Sequence, residues 1–339
     1  MRCPKLAELP STTHNQTGWP WTEESPQVSE KMSNGSEWPK ISIITPNYNY
    51  GHFLEETIRS ILLQGYPNLE YIVIDGNSTD CSVYVIKKYE KWITYWISEP
   101  DKGQANAINK GLSYCTGEIF NFINSDEILN QGALKTIGET MSNADAISGG
   151  AISFKTETRE ENNLSYIQPR KPLNFRTIIV NSHTIQPSIW LKLSKVKKVG
   201  LYTEHLHYCF DWEYFLRYFA DETKVKYTTL PLCIIRLHPL RKTNKNNIEL
   251  CRNEVLNALH GLLNDNDLSA EHKNIIRLDI EEKKWAHLVN KTLKDDSDSK
   301  LQRIIKVLSL SLEKPKIRIK WILKYLYFNK LRKLIKINS

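Results

Sequence analysis

Apolar and polar positions fall into alternating blocks over the first half of the chain. Ile41-Ser42-Ile43-Ile44 is a short apolar run that gives way to Thr45-Pro46-Asn47-Tyr48-Asn49. Tyr71-Ile72-Val73-Ile74 gives way to Asp75-Gly76-Asn77-Ser78-Thr79-Asp80, and the run over 92–98 to Glu99-Pro100-Asp101-Lys102-Gly103-Gln104. A fourth run, Ile119-Phe120-Asn121-Phe122-Ile123, stops at Asn124-Ser125-Asp126-Glu127. Between the runs, apolar residues recur at helical spacing: Phe53, Ile58, Ile61 and Leu62 within 52–64, Val85, Ile86 and Tyr89 before Lys91, and Ala105, Ile108 and Leu112 within 104–114. Short apolar runs separated by helical patterns predict βαβ units and a mostly parallel sheet. Pro46 cannot donate to a ladder, so the first strand is expected to end at Thr45. In an open parallel sheet, ligands bind outside the carboxyl ends of the strands, and all four polar clusters are expected to gather there.

Beyond Gly132 the pattern is less regular. It predicts a helix over 133–141, strands over 146–154 and 165–168, and a short apolar segment at 187–191. A strong helix follows over 208–220, carrying Trp212, Phe215, Leu216 and Phe219 on one side, with strands over 225–229 and 232–237. From Asn244 the pattern is helical to the end, apart from the polar break Asp295-Asp296-Ser297-Asp298-Ser299. The expected organisation is an irregular arm over 1–39, with Trp19, Trp21 and Trp38 placed to dock, an α/β domain over 40–243, and a helical extension over 244–339.

Composition narrows the function classes. With 339 residues and 40% hydrophobic content the chain is globular. No apolar run approaches the roughly 20 residues that cross a bilayer, and the first residues lack the apolar core of a secretory signal. The six cysteines are scattered without a CxxC pair, which favours reduced thiols in the cytoplasm. His205, His207 and Cys209 have no fourth partner at zinc spacing. The net charge is +8, but Lys314 to Ser339 holds nine Lys or Arg and no acid, so the body is close to neutral. A neutral body argues against nucleic acid as a partner. The tail over 314–339 mixes basic and apolar residues; it suits either peripheral contact at the inner face of an anionic membrane or a terminal helical subdomain. No G-x-G-x-x-G follows Ile44, which disfavours a dinucleotide-dependent dehydrogenase.

The four clusters, in this order and at this spacing, resemble the motif series of family 2 glycosyltransferases with the GT-A fold. The resemblance covers about residues 40–240. It implies an α/β, Rossmann-like, mostly parallel sheet flanked by helices, and inverting transfer of a sugar from a nucleotide-sugar donor, a UDP-sugar by expectation. The acceptor would be a hydroxyl of a glycan or lipid-linked saccharide in cell-surface polysaccharide or lipopolysaccharide synthesis. By the same resemblance the donor is bound by Thr45, Pro46, Asn47, Tyr48, Asp75, Asn77, Asp101, Lys102, Gly103, Asn109, Asn124 and Ser125. Asn124-Ser125-Asp126 stands where the family usually has Asp-x-Asp, so Asp126 is the expected ligand of a Mg²⁺ or Mn²⁺ that neutralises the diphosphate. His238, in Arg236-Leu237-His238 ahead of Lys242-Thr243, is a second candidate ligand. The segment from His183 to Ser188 resembles the acceptor side.

A single displacement needs one carboxylate to take the acceptor's proton. Asp211 is the candidate, in Phe210-Asp211-Trp212-Glu213; Glu213 is its rival, and a plain helix N-cap its other reading. Phe210 replaces the usual first acid of this pair, and Asn124 the usual first Asp of the other. These two departures define the alternative, a weak or inactive nucleotide-sugar-binding homologue.

Overall fold

A computed structural model describes residues 1–11, 16–155, 164–180, 184–242 and 247–294. His183, Thr243 and the basic tail over 314–339 lie outside the described residues. The strands are β1 (Ile41–Asn47), β2 (Leu69–Asp75), β3 (Tyr95–Ser98), β4 (Ile119–Phe122), β5 (Glu127–Leu129), β6 (Ala146–Lys155), β7 (Ser165–Ile167), β8 (Ile189–Lys192) and β9 (Val225–Leu237). They form one sheet in the order β3-β2-β1-β4-β8-β6-β9-β5, with β7 paired to β6. The half built from β3, β2, β1 and β4 is parallel, as the βαβ pattern predicts. In the other half β8 runs antiparallel to both β4 and β6, and β5 antiparallel to β9, so the sheet as a whole is mixed.

Helices α1 (Gly51–Leu62), α2 (Ser82–Tyr89) and α3 (Gln104–Leu112) connect the parallel strands. Leu54, Ile58 and Ile61 of α1 bury against Ile41, Ile43, Tyr71 and Val73. Each such side chain contributes about 1.5–3 kcal/mol by leaving water. Helix α3 approaches β1 through Gly111, where an added Cβ would lie 2.8 Å from the Ile44 side chain. Helices α4 (Ala133–Thr140), α5 (Phe175–Val180), α6 (Leu193–Val199), α7 (Phe210–Tyr218) and α8 (Ile248–Leu263) follow.

Three elements differ from expectation. Strand β1 continues through Pro46 to Asn47. The Ile44 carbonyl accepts from Ile123 on the β4 side, and strand alternation points the Pro46 nitrogen the same way. The β1–β4 ladder has ended there, so the missing N–H costs no hydrogen bond. Strand β9 is one strand rather than two, because the register shifts at Gly149 and Gly150 of β6 absorb Leu230-Pro231. A Cβ on Gly149 would meet Leu232. Finally, the first compact unit runs from Met1 to Leu268. Helix α8 therefore belongs with the sheet, although a boundary was expected near residue 243. The second unit begins at Ser269 and contains α9 (Ala270–Lys294).

The N-terminal arm is docked. Arg59 on α1 donates to the carbonyls of Pro10, Pro20 and Trp21 and to the Tyr89 hydroxyl, so a buried cation is held by four neutral acceptors. Trp38 packs edge-on against Tyr66. All six cysteines are free, and no helix among the described residues is long and apolar enough to cross a membrane.

Candidate active site

The carboxyl ends of β1, β2 and β4 deliver the polar clusters to one rim. Asp75 ends β2 and is completely buried. Its carboxylate accepts from Asn47 Nδ2 at 2.7 Å, Ser78 N at 2.9 Å, Ser78 Oγ at 2.6 Å and Ser98 Oγ at 2.6 Å. Four donors fill the acceptor positions of a carboxylate. Asp75 therefore ties the ends of β1, β2 and β3 together and shapes the cradle instead of presenting a free oxygen. Asn47 is held by the same bond, and its Oδ1 is buried with no partner among the described residues.

Around this knot the backbone is tightly constrained. A Cβ on Gly76 would lie 2.6 Å from Asp101 Oδ2 and 3.3 Å from the Tyr48 ring, so a glycine is what lets the second and third clusters meet. Asp101 Oδ1 accepts from Gly103 N at 2.7 Å, and Gly103 takes φ 112°, a region open to glycine. Asn77 also takes a positive φ, 64°, and is exposed, as are Lys102 and the Tyr48 ring. These groups line an open rim.

Three expected donor ligands are spent elsewhere. Thr45 is fully buried and its hydroxyl accepts from Tyr71 OH at 3.1 Å. The Ser125 hydroxyl bonds the Pro46 carbonyl at 3.3 Å, which fastens the β4 cluster to β1. Asn109 bonds the backbone of Tyr202 in both directions, at 2.9 Å each, and donates to Glu204 at 3.0 Å. With its amide saturated inside the protein, Asn109 anchors the loop after α6 and does not reach the rim.

The β4 cluster and the end of β9 meet. His238 Nε2 lies 2.9 Å from Asp126 Oδ2; His238 is buried, and its Nδ1 has no hydrogen-bond partner among the described residues. The ring is packed 4.6 Å from Phe53 and held one residue pair beyond Arg236, whose guanidinium bonds Glu56 at 2.5 Å and stacks on Phe53 and Phe154. Beside Asp126, the Glu127 carboxyl accepts from Asn124 N at 2.9 Å, and burial together with the Asp126 charge raises its pKa. Among the described residues no three His, Cys, Asp or Glu side chains converge as a closed metal site. The donor set present is one carboxylate oxygen beside one imidazole nitrogen. Asp126 and His238 are the residues that would hold a divalent ion there, and such an ion would supply positive charge against phosphate oxygens.

Asp211 connects to this cluster through side chains. Asn124 Oδ1 accepts from Gln104 Nε2 at 2.5 Å, and Gln104 Oε1 accepts from Lys242 Nζ at 3.4 Å. Lys242 in turn stands 5.9 Å from the Tyr208 and Phe210 rings and acts electrostatically on Asp211. Asp211 is the second residue of α7, not its N-cap, and its Oδ1 accepts from the adjacent Trp212 N at 2.8 Å. Burial pushes its pKa up to about 6 against the pull of Lys242. The rival Glu213 is occupied: Arg217 donates to it at 2.7 Å and Thr203 at 3.1 Å. Phe210 packs among Phe122 and Tyr202, a hydrophobic role with no acid to supply.

Two further polar groups lie near the site, Gln186 in the segment singled out as resembling the acceptor side and Glu254 outside every motif. Gln186 donates to Asn121 Oδ1 and to the Phe122 carbonyl behind the β4 cluster, and its Oε1 is buried and unpartnered. Glu254, on α8, has no motif around it.

Residues 42–200 match the profile of Glycosyl transferase family 2. The chain is 26% identical over 229 residues to an uncharacterized glycosyltransferase of Rickettsia typhi, covering 63% of this chain and 69% of that one. It is 37% identical over 103 residues to a GalNAc(5)-diNAcBac-PP-undecaprenol beta-1,3-glucosyltransferase of Campylobacter jejuni, covering 29% of this chain and 33% of the relative's length. Among solved structures it resembles Staphylococcus aureus TarS in complex with UDP-GlcNAc, with TM-score 0.59 at 17% identity over 80% of this chain and 79% of that one. It also resembles the mannosyltransferase PcManGT of Pyrobaculum calidifontis in complex with GDP-Man and Mn²⁺, with TM-score 0.54 at 17% identity over 87% of each chain. At these identities the two structures establish the fold.

Proposed function

We propose, from the match of residues 42–200 to the family 2 glycosyltransferases, an inverting transferase that moves a sugar from a UDP-sugar to a hydroxyl of a glycan or lipid-linked saccharide. The observation that carries this reading is the linked set of polar groups at the carboxyl ends of the strands: Asp126 against His238, and Asp211 reached through Asn124, Gln104 and Lys242. The Campylobacter relative, which acts on an undecaprenol-linked saccharide, supports the acceptor class. The UDP-GlcNAc complex of TarS supports the donor.

Each group has a part. The exposed Tyr48 ring offers a stacking face for the nucleobase. Asp126 and His238 would hold the Mg²⁺ or Mn²⁺ that, when bound, stabilises the negative charge of the nucleoside diphosphate as it leaves. Asp211, ionised above about pH 6, accepts the proton of the attacking hydroxyl while the new glycosidic bond forms and the anomeric bond to the diphosphate breaks. Lys242 lies between Asp211 and the Asn124 cluster, where its cation would steady both the carboxylate and a bound phosphate.

The test is nucleoside-diphosphate release from a panel of nucleotide sugars, with Mn²⁺ and with EDTA. Release from a UDP-sugar that EDTA abolishes supports the reading. Binding without release, with acceptor lipids present, favours a donor-binding homologue without turnover. Release indifferent to EDTA overturns the metal assignment.

A further inference from the structure

The turn that leads into α7, residues 207–209 up to the N-cap Cys209, has backbone amides that need acceptors. Glu254 supplies them. Its Oε2 accepts from His207 N at 2.7 Å, and its Oε1 from Tyr208 N at 2.5 Å and Cys209 N at 2.8 Å. Three consecutive amides converging on one carboxylate form a charge-assisted clamp. The clamp ends two residues before Asp211. Both ends lie outside the stretch matched by the family profile.

We propose that Glu254 is the positioning residue of this enzyme's base: it fixes the turn at 207–209 so that the first turn of α7 presents the Asp211 carboxylate to the acceptor hydroxyl. The inference rests on Asp211 being that base. The groups facing Asp211 are Lys242, which draws its pKa down; Glu254, whose like charge adds to the upward push of burial; and the buried phenol of Tyr202 and thiol of Cys209. Glu254 thus acts on Asp211 twice, by geometry and by charge. Glutamine has one acceptor oxygen for three amides and places its own N–H groups against them, so Glu254→Gln breaks the clamp at nearly constant volume. Glu254→Asp keeps the charge and shortens the reach.

The experiment measures UDP-sugar turnover by the full chain in Mn²⁺, with affinity for UDP and Mn²⁺ by calorimetry and a thermal melt for each variant. Displacing a reacting group by about an ångström costs roughly a hundred-fold in rate, so Glu254→Gln is expected to lose kcat on that scale. Its affinity for UDP is expected to be retained and the acid limb of its rate profile to move to lower pH, since a charge that raises the Asp211 pKa is gone. Glu254→Asp is expected to lower kcat less and to keep the wild-type limb. On an Asp211→Asn background, Glu254→Gln is expected to cost nothing more, because both act through one carboxylate. Wild-type kcat in Glu254→Gln beside an inactive Asp211→Asn overturns the clamp and leaves the base in place. Full additivity in the double variant, or losses that follow only the melting temperature, overturn it too. Wild-type turnover by Asp211→Asn removes the base assignment itself.

Discussion

Glu70, at the amino-terminal part of β2, and Asp211, reached from the carboxyl ends of the same sheet, are carboxylates in contrasting surroundings. Glu70 accepts from Ser42 Oγ at 2.5 Å, from Thr116 N at 2.7 Å and Oγ1 at 2.6 Å, and pairs with Lys40 at 2.7 Å. Burial alone would push its pKa up, but these donors outweigh burial and hold it at about 2. At the other end burial wins: Asp211 is raised to about 6, Glu127 is raised beside Asp126, and the buried His238 Nδ1 and Asn47 Oδ1 lack partners among the described residues. A saturated carboxylate cements strands. An undersatisfied one is poised to take a proton or a ligand, which is why perturbed groups concentrate at functional sites. Asp75 shows that position alone does not decide: it sits at the functional end, yet is as saturated as Glu70 and has a structural task.

Substitutions that separate the two ends test this contrast. The largest expected effect is at Asp211→Asn, which removes the base with little change of shape. It should lower kcat by roughly a thousand-fold, measured as nucleoside-diphosphate release, while the melting temperature does not fall. Next comes Glu70→Ala, which strands the Ser42, Thr116 and Lys40 donors. It should cost roughly 3 kcal/mol of stability in chemical denaturation, while activity per folded molecule is retained. A smaller effect belongs to His238→Ala. Removing one of the two side chains proposed to hold the ion should weaken apparent Mn²⁺ affinity by at least about 10–100-fold, the scale seen for outer-shell partners, read from a metal titration of the release rate. Loss of activity in Glu70→Ala at full folding, or loss of stability without loss of rate in Asp211→Asn, would erase the distinction.

The parallel half of the sheet was legible because each apolar run ends in turn-forming residues and the intervening helices carry clear periodicity. What was hidden had physical reasons. β5 is three residues long and follows the Asn124–Asp126 cluster directly, so no periodicity could build up. Pro231 made β9 read as two strands, since only the glycines of its partner reveal the accommodation. In the site, residue types were legible but hydrogen-bond saturation was not. Thr45, Asp75 and Asn109 look like ligands in sequence, and only the structure shows their acceptors and donors already engaged. His238 was legible only as a candidate ligand by resemblance and not as a neighbour of Asp126, and Glu254 reaches the turn before α7 across 45 residues with no local pattern to announce it.

The most direct measurement is the initial rate of nucleoside-diphosphate release between pH 4.5 and 8.5, with the melting temperature followed over the same range. The rate should fall as pH drops through about 6, where Asp211 takes up its proton. Stability should not fall with it. A carboxyl whose folded pKa is raised favours the folded state as it protonates, whereas the contribution of Glu70 is lost only as pH falls from its unfolded value toward about 2. A rate that holds flat through pH 6, or that declines only in step with the melting temperature, would contradict the account.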